Sequence, residues 1–329
     1  MLTTKPPLLS LRHLLLHPPL PLTSPKHIHS TPPPHLARPT RPKAKPDEKP
    51  ETPEELQRSL HGSVQAHRCL VLLDSPAPIS TFPARHSTQI QRELQLRLTK
   101  LGGIVNFAFY GNAPPTTTPI SPSSPSSSSS SKGEEEAVSA VAYTPLGGRL
   151  TLPSITLPTL PSTLQTLEAH ISGSSLLQPE TQTNIDILVC THGARDCRCG
   201  DTGGKVYAAL REAVPKVQAE MEAEGKGGVR VPKIRVGEVA HVGGHKYAAN
   251  VLIYPYGEWL GLITPSHVPE LLSSIIKLHS KTPGGIKPLG RDDPLDIMPE
   301  HWRGRMGLGK EEMVEMMEEY RRASKIASH

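Results

Sequence analysis

Aromatic residues are scarce in this chain: three Phe, two Trp and seven Tyr make up 4% of 329 residues. With 36 Pro and 26 Gly beside them, part of the length cannot build a packed core and reads as unfolded. Cysteine is scarcer than in any secreted disulfide scaffold, which would spread more of them over a shorter chain. Of the four, Cys190, Cys197 and Cys199 fall within ten residues and Cys69 stands apart. That clustering suits a metal or redox site. A run of 18 uninterrupted apolar residues is also missing, because the leucine-rich start is cut by Arg12, His13, His17 and several prolines. The sequence therefore offers no membrane-spanning helix.

Acidic residues are absent from residues 1–46, which hold seven Lys or Arg and 12 prolines. The whole chain carries 36 basic and 31 acidic residues, so the remainder is slightly acidic and the basic excess belongs to the leader. Its basic, Leu- and Ser-containing composition predicts a mitochondrial transit peptide, excluded from the fold. No aromatic-interleaved basic patch for nucleic acid is present.

Apolar patterning predicts an α/β protein. A first unit, residues 66–170, opens with a buried strand at Cys69–Asp74, an amphipathic helix over residues 86–101 and a strand at Ile104–Tyr110. It is interrupted at residues 113–136, where nine serines and two prolines between Ser121 and Ser131 precede Lys-Gly-Glu-Glu-Glu. Such a stretch buries no core and predicts a solvated insertion. Strand-like sequence resumes at Ala137–Tyr143. A second unit, residues 184–280, reads as a strand ending on Cys190, a helix from about Lys205 to Glu224, strands at Lys233–Val239, Asn250–Tyr254 and Trp259–Thr264, and a helix over Pro269–His279. This β-α-β-β-β-α order is compatible with a thioredoxin-like layer. Residues 281–329 read as a Pro- and Gly-rich tail with a last helix near Lys310–Ser324, whose methionines pack on a surface.

Two segments carry the chemistry: Cys190-Thr-His-Gly-Ala-Arg-Asp-Cys-Arg-Cys-Gly200 and His241-Val-Gly-Gly-His-Lys-Tyr-Ala-Ala-Asn250. Each follows a predicted strand, at the edge where α/β folds place ligands. Cys190, Cys199, His241 and His245 form a set of two thiolates and two imidazoles. Zinc takes such a set, although zinc ligand pairs usually sit closer in sequence than Cys190 and Cys199. A diiron cluster with two Cys on one iron and two His on the other accepts the wider spacing. Arg195, Arg198 and Lys246 are candidates to donate to such a centre, and His192 is expected to orient the loop. Other motifs fail. Gly200-Asp-Thr-Gly-Gly-Lys205-Val206 lacks the first glycine and the Ser/Thr of a phosphate loop, His241-Val-Gly-Gly-His245 lacks a metalloprotease glutamate, and no Gly-x-Ser-x-Gly elbow exists.

The paired motifs, together with His301-Trp-Arg-Gly-Arg-Met-Gly-Leu-Gly, resemble the sucrase/ferredoxin-like family of thioredoxin-like ferredoxins, in particular its fungal altered-inheritance-of-mitochondria branch. The likeness spans residues 66–280 and the late motif. It implies two thioredoxin-like units, the N-terminal one degenerate, and a [2Fe–2S] cluster held by Cys190, Cys199, His241 and His245. One-electron transfer to redox partner proteins follows, at a potential above that of all-Cys ferredoxins and falling as pH rises. Two alternatives stand beside it: a thiol–disulfide oxidoreductase using Cys197 and Cys199, and a structural Cys2His2 zinc module.

Overall fold

The computed structural model describes residues 51–111, 137–174, 184–224, 231–282 and 285–327. The expected leader at 1–46 and insertion at 113–136 lie outside the described residues. A short helix α1 (Pro53–Arg58) leads into β1 (Cys69–Asp74). Thr88 starts α2 (Gln89–Leu98), its hydroxyl accepting the Gln91 N–H at 3.1 Å, and the helix buries Ile90, Leu94 and Leu98, a four-residue repeat that faces the sheet. Gly102, at φ 74°, makes the left-handed turn into β2 (Gly103–Phe109). Then come β3 (Val138–Thr144), β4 (Gly148–Ile155) and α3 (Leu160–Ile171). The C-terminal half repeats the order: β5 (Asn184–Cys190), α4 (Gly204–Glu224), β6 (Lys233–Val239), β7 (Val251–Tyr254), β8 (Glu258–Leu260) and α5 (Val268–Lys281). After it, β9 (Trp302–Arg305) and α6 (Lys310–Ala327) complete that half.

The nine strands among the described residues form one mixed sheet, ordered β4-β3-β1-β2-β6-β5-β7-β8-β9. Each half contains the same module, in which the first two strands are parallel and the third and fourth antiparallel. The halves join through an antiparallel overlap of β2 and β6 at Ala108↔Val239 and Phe109↔Glu238. Because Asp74 pairs with Ala108 and Cys190 with Val239, the C-terminal ends of β1 and β5 lie on one row across the sheet, running in opposite senses. The connection that leaves each of these strands therefore reaches over the other half.

Alternation along β1 divides its side chains between two cores. Cys69, Val71 and Leu73 pack under α2 and α3, whereas Leu70 and Leu72 join the larger cluster with β5, β7 and the C-terminal Met306, Met313, Met316 and Met317. Burial on both faces explains why the strand reads as an unbroken apolar run, and it pushes the Cys69 thiol up to about 12. β8 stops at Leu260 rather than running to Thr264, since Leu262 adopts φ 57° and donates its N–H to Tyr247 O at 2.7 Å.

Buried His67 bridges the halves. Its Nδ1–H donates to Gln65 O at 2.8 Å and its Nε2 accepts from the Tyr254 hydroxyl at 3.3 Å, which in turn accepts the Trp259 indole N–H at 2.9 Å. Burial holds its pKa below the ordinary histidine value, the Gln65 carbonyl opposing that only in part. A lowered histidine is neutral in the fold and binds protons only after unfolding. Stability is thus full above about pH 6.5 and falls as pH drops below it. His67→Gln should flatten that fall in urea midpoints measured from pH 7.5 to 5.5; an unchanged slope would refute the assignment.

Candidate metal centre

Cys190 closes β5 and has 1% of its surface exposed; its N–H donates to Asn250 O at 3.0 Å. Cys199 opens a π-helical turn, Cys199–Gly203, that runs directly into α4, the kind of local irregularity often found where a helix carries function. Three glycines make this possible. Gly193 and Gly200 cross with backbones so close that a methyl on Gly200 would fall 2.7 Å from the Gly193 Cα, and a side chain on Gly203 would collide with the Cys190 carbonyl. The helix start is thereby drawn onto the end of β5. Both sulfurs and one ring nitrogen of His241 lie within 4.8 Å of one another, with His241 Nδ1 4.0 Å from the Cys199 sulfur.

Sulfur and imidazole are the donor types that suit zinc, copper and iron–sulfur centres. The hydrogen bond with Cys199 holds the Cys190 thiol well below its ordinary value despite burial, helped by His241 and the N–H groups of Val242 and His192. Its partner Cys199 is pushed up by the same bond and by burial.

Of the four sequence-predicted ligands, three are brought together. His245 stands beside them: its ring centroid is 5.6 Å from that of His241, and its Nε2 lies 3.7 Å from Asp196. Burial lowers its pKa, with Asp196 opposing. Exposed Cys197 is outside the ligand group. His192 orients the loop: its Nε2–H donates to Pro83 O at 2.9 Å while its Nδ1 faces the His241 N–H at 3.4 Å. These partners fix its tautomer.

The expected cationic donors are placed differently. Arg198 forks onto Asp196 at 3.0 Å and Lys246 binds Glu51 at 2.7 Å, so carboxylates take both charges. The cation behind the centre is instead Arg303, on β9, 1% exposed and without a carboxylate partner among the described residues. It donates to Asn250 Oδ1 at 2.7 Å, Ser63 Oγ at 3.0 Å and Ser63 O at 3.1 Å, and lies over the Tyr247 ring. Burial lowers it to about 10, and Tyr247, Cys190 and Cys199 pull the other way. Gly244 (φ 63°) makes room for this guanidinium, with which any side chain there would collide. Arg303 has no role in the sequence reading, because a buried arginine inside a late motif has no ligand-like spacing.

Residues 60–304 match the sucrase/ferredoxin-like family. Actin patches distal protein 1 of Saccharomyces cerevisiae is 33% identical over 121 residues, 33% of this chain and 37% of that protein. Altered inheritance of mitochondria protein 32 is 34% identical over 94 residues in Meyerozyma guilliermondii, 28% of this chain and 29% of that one. The protein of the same name in Candida glabrata is 29% identical over 112 residues, 31% of each chain. The aligned stretches thus span about a third of each relative's length. No solved structure matches the chain.

Proposed function

This chain belongs to the sucrase/ferredoxin-like family, and from that premise we propose that it is an electron-transfer protein whose [2Fe–2S] centre is held by Cys190, Cys199, His241 and His245. The observation that carries the reading is the convergence of two buried sulfurs and the His241 ring nitrogen within 4.8 Å, with the His245 ring alongside. When bound, such a centre supplies reversible one-electron transfer at a potential raised by its neutral imidazole ligands.

The chain's own residues supply the rest. The two cysteines provide the buried thiolate side. Arg303 opposes negative charge from beneath the loop, and His192 fixes the His241 backbone. His245, with 46% of its side chain exposed, places the imidazole side at the surface, where a redox partner would meet it. No described helix is long and apolar enough to cross a membrane. The acid-free leader and the names of the relatives support a mitochondrial address.

Visible and electron-paramagnetic-resonance spectra of the full chain purified without oxygen test the proposal. Red-brown protein is expected, with a reduced signal of Rieske-like average g that shifts in His241→Cys and His245→Cys and disappears in Cys190→Ser and Cys199→Ser. Colourless protein with one bound zinc, or with no metal after iron-replete expression, would overturn it. An unshifted spectrum in His245→Cys would remove that residue from the ligand set.

A further inference from the structure

The connection after β1 and the connection after β5 reach over opposite halves, and between them lies an open pocket of about 370 Å³. That volume is within the range that accommodates small organic ligands. Glu238, buried on β6, clamps both connections by accepting the Ser80 N–H at 2.8 Å and the Thr191 hydroxyl at 2.6 Å. The bond from His192 to Pro83 O is a second strut. Neither wall is a loose loop.

The lining has two characters. It is aromatic: the ring of His86 lies 3.9 Å from that of Phe82 and 4.9 Å from that of Phe107, centroid to centroid. It is also cationic, since Arg85 from one connection and Arg195 from the other both line it and no Asp or Glu does. Neither guanidinium has an ion-pair partner among the described residues, in contrast to Arg198, which is held by Asp196. Two guanidinium groups without ion-pair partners, lining one pocket together with aromatic rings, are complementary to a flat ring bearing a negative group: the ring stacks, and the forks receive the charge. His241 lines the same pocket, so an occupant would sit against the imidazole edge of the candidate centre.

We propose that this pocket binds a small planar organic anion, an aromatic carboxylate or its sulfonate or phosphate equivalent, with Arg85 and Arg195 as its charge-reading residues. Only His241 is shared with the candidate metal ligands, and the binding inference does not depend on which metal they hold.

Calorimetric titration of the full chain with 1-naphthoate tests it, run on metal-loaded and metal-free protein, with 1-naphthalenemethanol as the uncharged probe. Naphthoate should bind at least tenfold tighter than the alcohol, as expected for charge-assisted bonds to a carboxylate. Arg85→Gln and Arg195→Gln should each remove most of that preference. Arg85 is exposed, so Arg85→Gln should keep the wild-type far-ultraviolet circular dichroism, which serves as its folding control. Equal affinity for the two probes, or unchanged naphthoate affinity in both variants, overturns the proposal. Inorganic phosphate competing as well as naphthoate would overturn the planar class. None of these failures bears on the spectra that decide the metal centre, so the two readings fail separately.

Discussion

Glu258→Ala is expected to lower the stability of the chain by about 3–5 kcal/mol, the scale for breaking one side of a buried ion pair. Glu258 is 1% exposed on β8, and Arg305, opposite it on β9, is fully buried. One carboxylate oxygen accepts from Arg305 Nε at 3.0 Å and Nη2 at 2.5 Å, and the other accepts the Trp302 indole N–H at 2.6 Å. The remaining guanidinium donors reach the carbonyls of Gly290, Asp293 and Pro294, tying the segment after α5 to the sheet. Alanine would leave a guanidinium charge and an indole N–H buried without the carboxylate. Against a total stability of roughly 5–15 kcal/mol, that loss is large. Urea denaturation measures it; a change under about 0.5 kcal/mol would sink the prediction. Glu258→Leu combined with Arg305→Met should recover part of the loss, since an apolar pair leaves no uncompensated charge.

Arg303→Gln should separate folding from the chemistry of the centre. Its lost charged hydrogen bonds to Asn250 and Ser63 cost about 2–3 kcal/mol, yet no carboxylate is orphaned by its removal. What disappears is the positive charge behind Cys190 and Cys199. Under the proposed [2Fe–2S] reading, adding an electron beside a cation is favoured, so the variant should have a lower reduction potential and retain less metal. An interaction on the order of 1 kcal/mol corresponds to about 40 mV for one electron. Arg303→Lys keeps the charge without the fork, so it should restore the potential more than the stability. Potentiometric titration with metal stoichiometry reads both quantities. Wild-type potential and occupancy in Arg303→Gln would show that the buried charge serves the fold alone.

Legibility in the sequence followed apolar continuity. β1 and β5 could be read because strands buried on both faces become runs such as Cys-Leu-Val-Leu-Leu and Ile-Asp-Ile-Leu-Val. α2 and α5 showed a single apolar stripe. β4 was missed because Pro153 interrupts it, which only its position at the sheet edge permits. α3 was hidden by its opening Leu-Pro-Ser-Thr. β9 is four residues with two arginines, a composition that looks solvated until Glu258 and a set of carbonyls are found around it. At the centre, motif spacing singled out Cys190, Cys199 and His241, which the fold brings together. It could not distinguish half-buried His241 from exposed His245, because burial depends on how Arg303 and Asn250 anchor the intervening loop from other strands.

The repeated module divides the chain's evolutionary freedom unequally. The two connections that carry three of the four candidate ligands, residues 191–203 and 240–250, have counterparts in the N-terminal copy at residues 75–88 and 110–137. Under the proposed ligand set, those segments in the C-terminal copy should keep a near-fixed length, since a single inserted residue would displace a sulfur or an imidazole. In the other copy the same topological positions hold the serine-rich stretch and one wall of the pocket. Lineages can therefore lengthen, shorten or rewrite the N-terminal connections while the ligand frame stays constant. Across descendants of a common ancestor, insertions should accumulate at 110–137, and the lining near Arg85 should diversify with whatever small molecule each lineage has to accommodate.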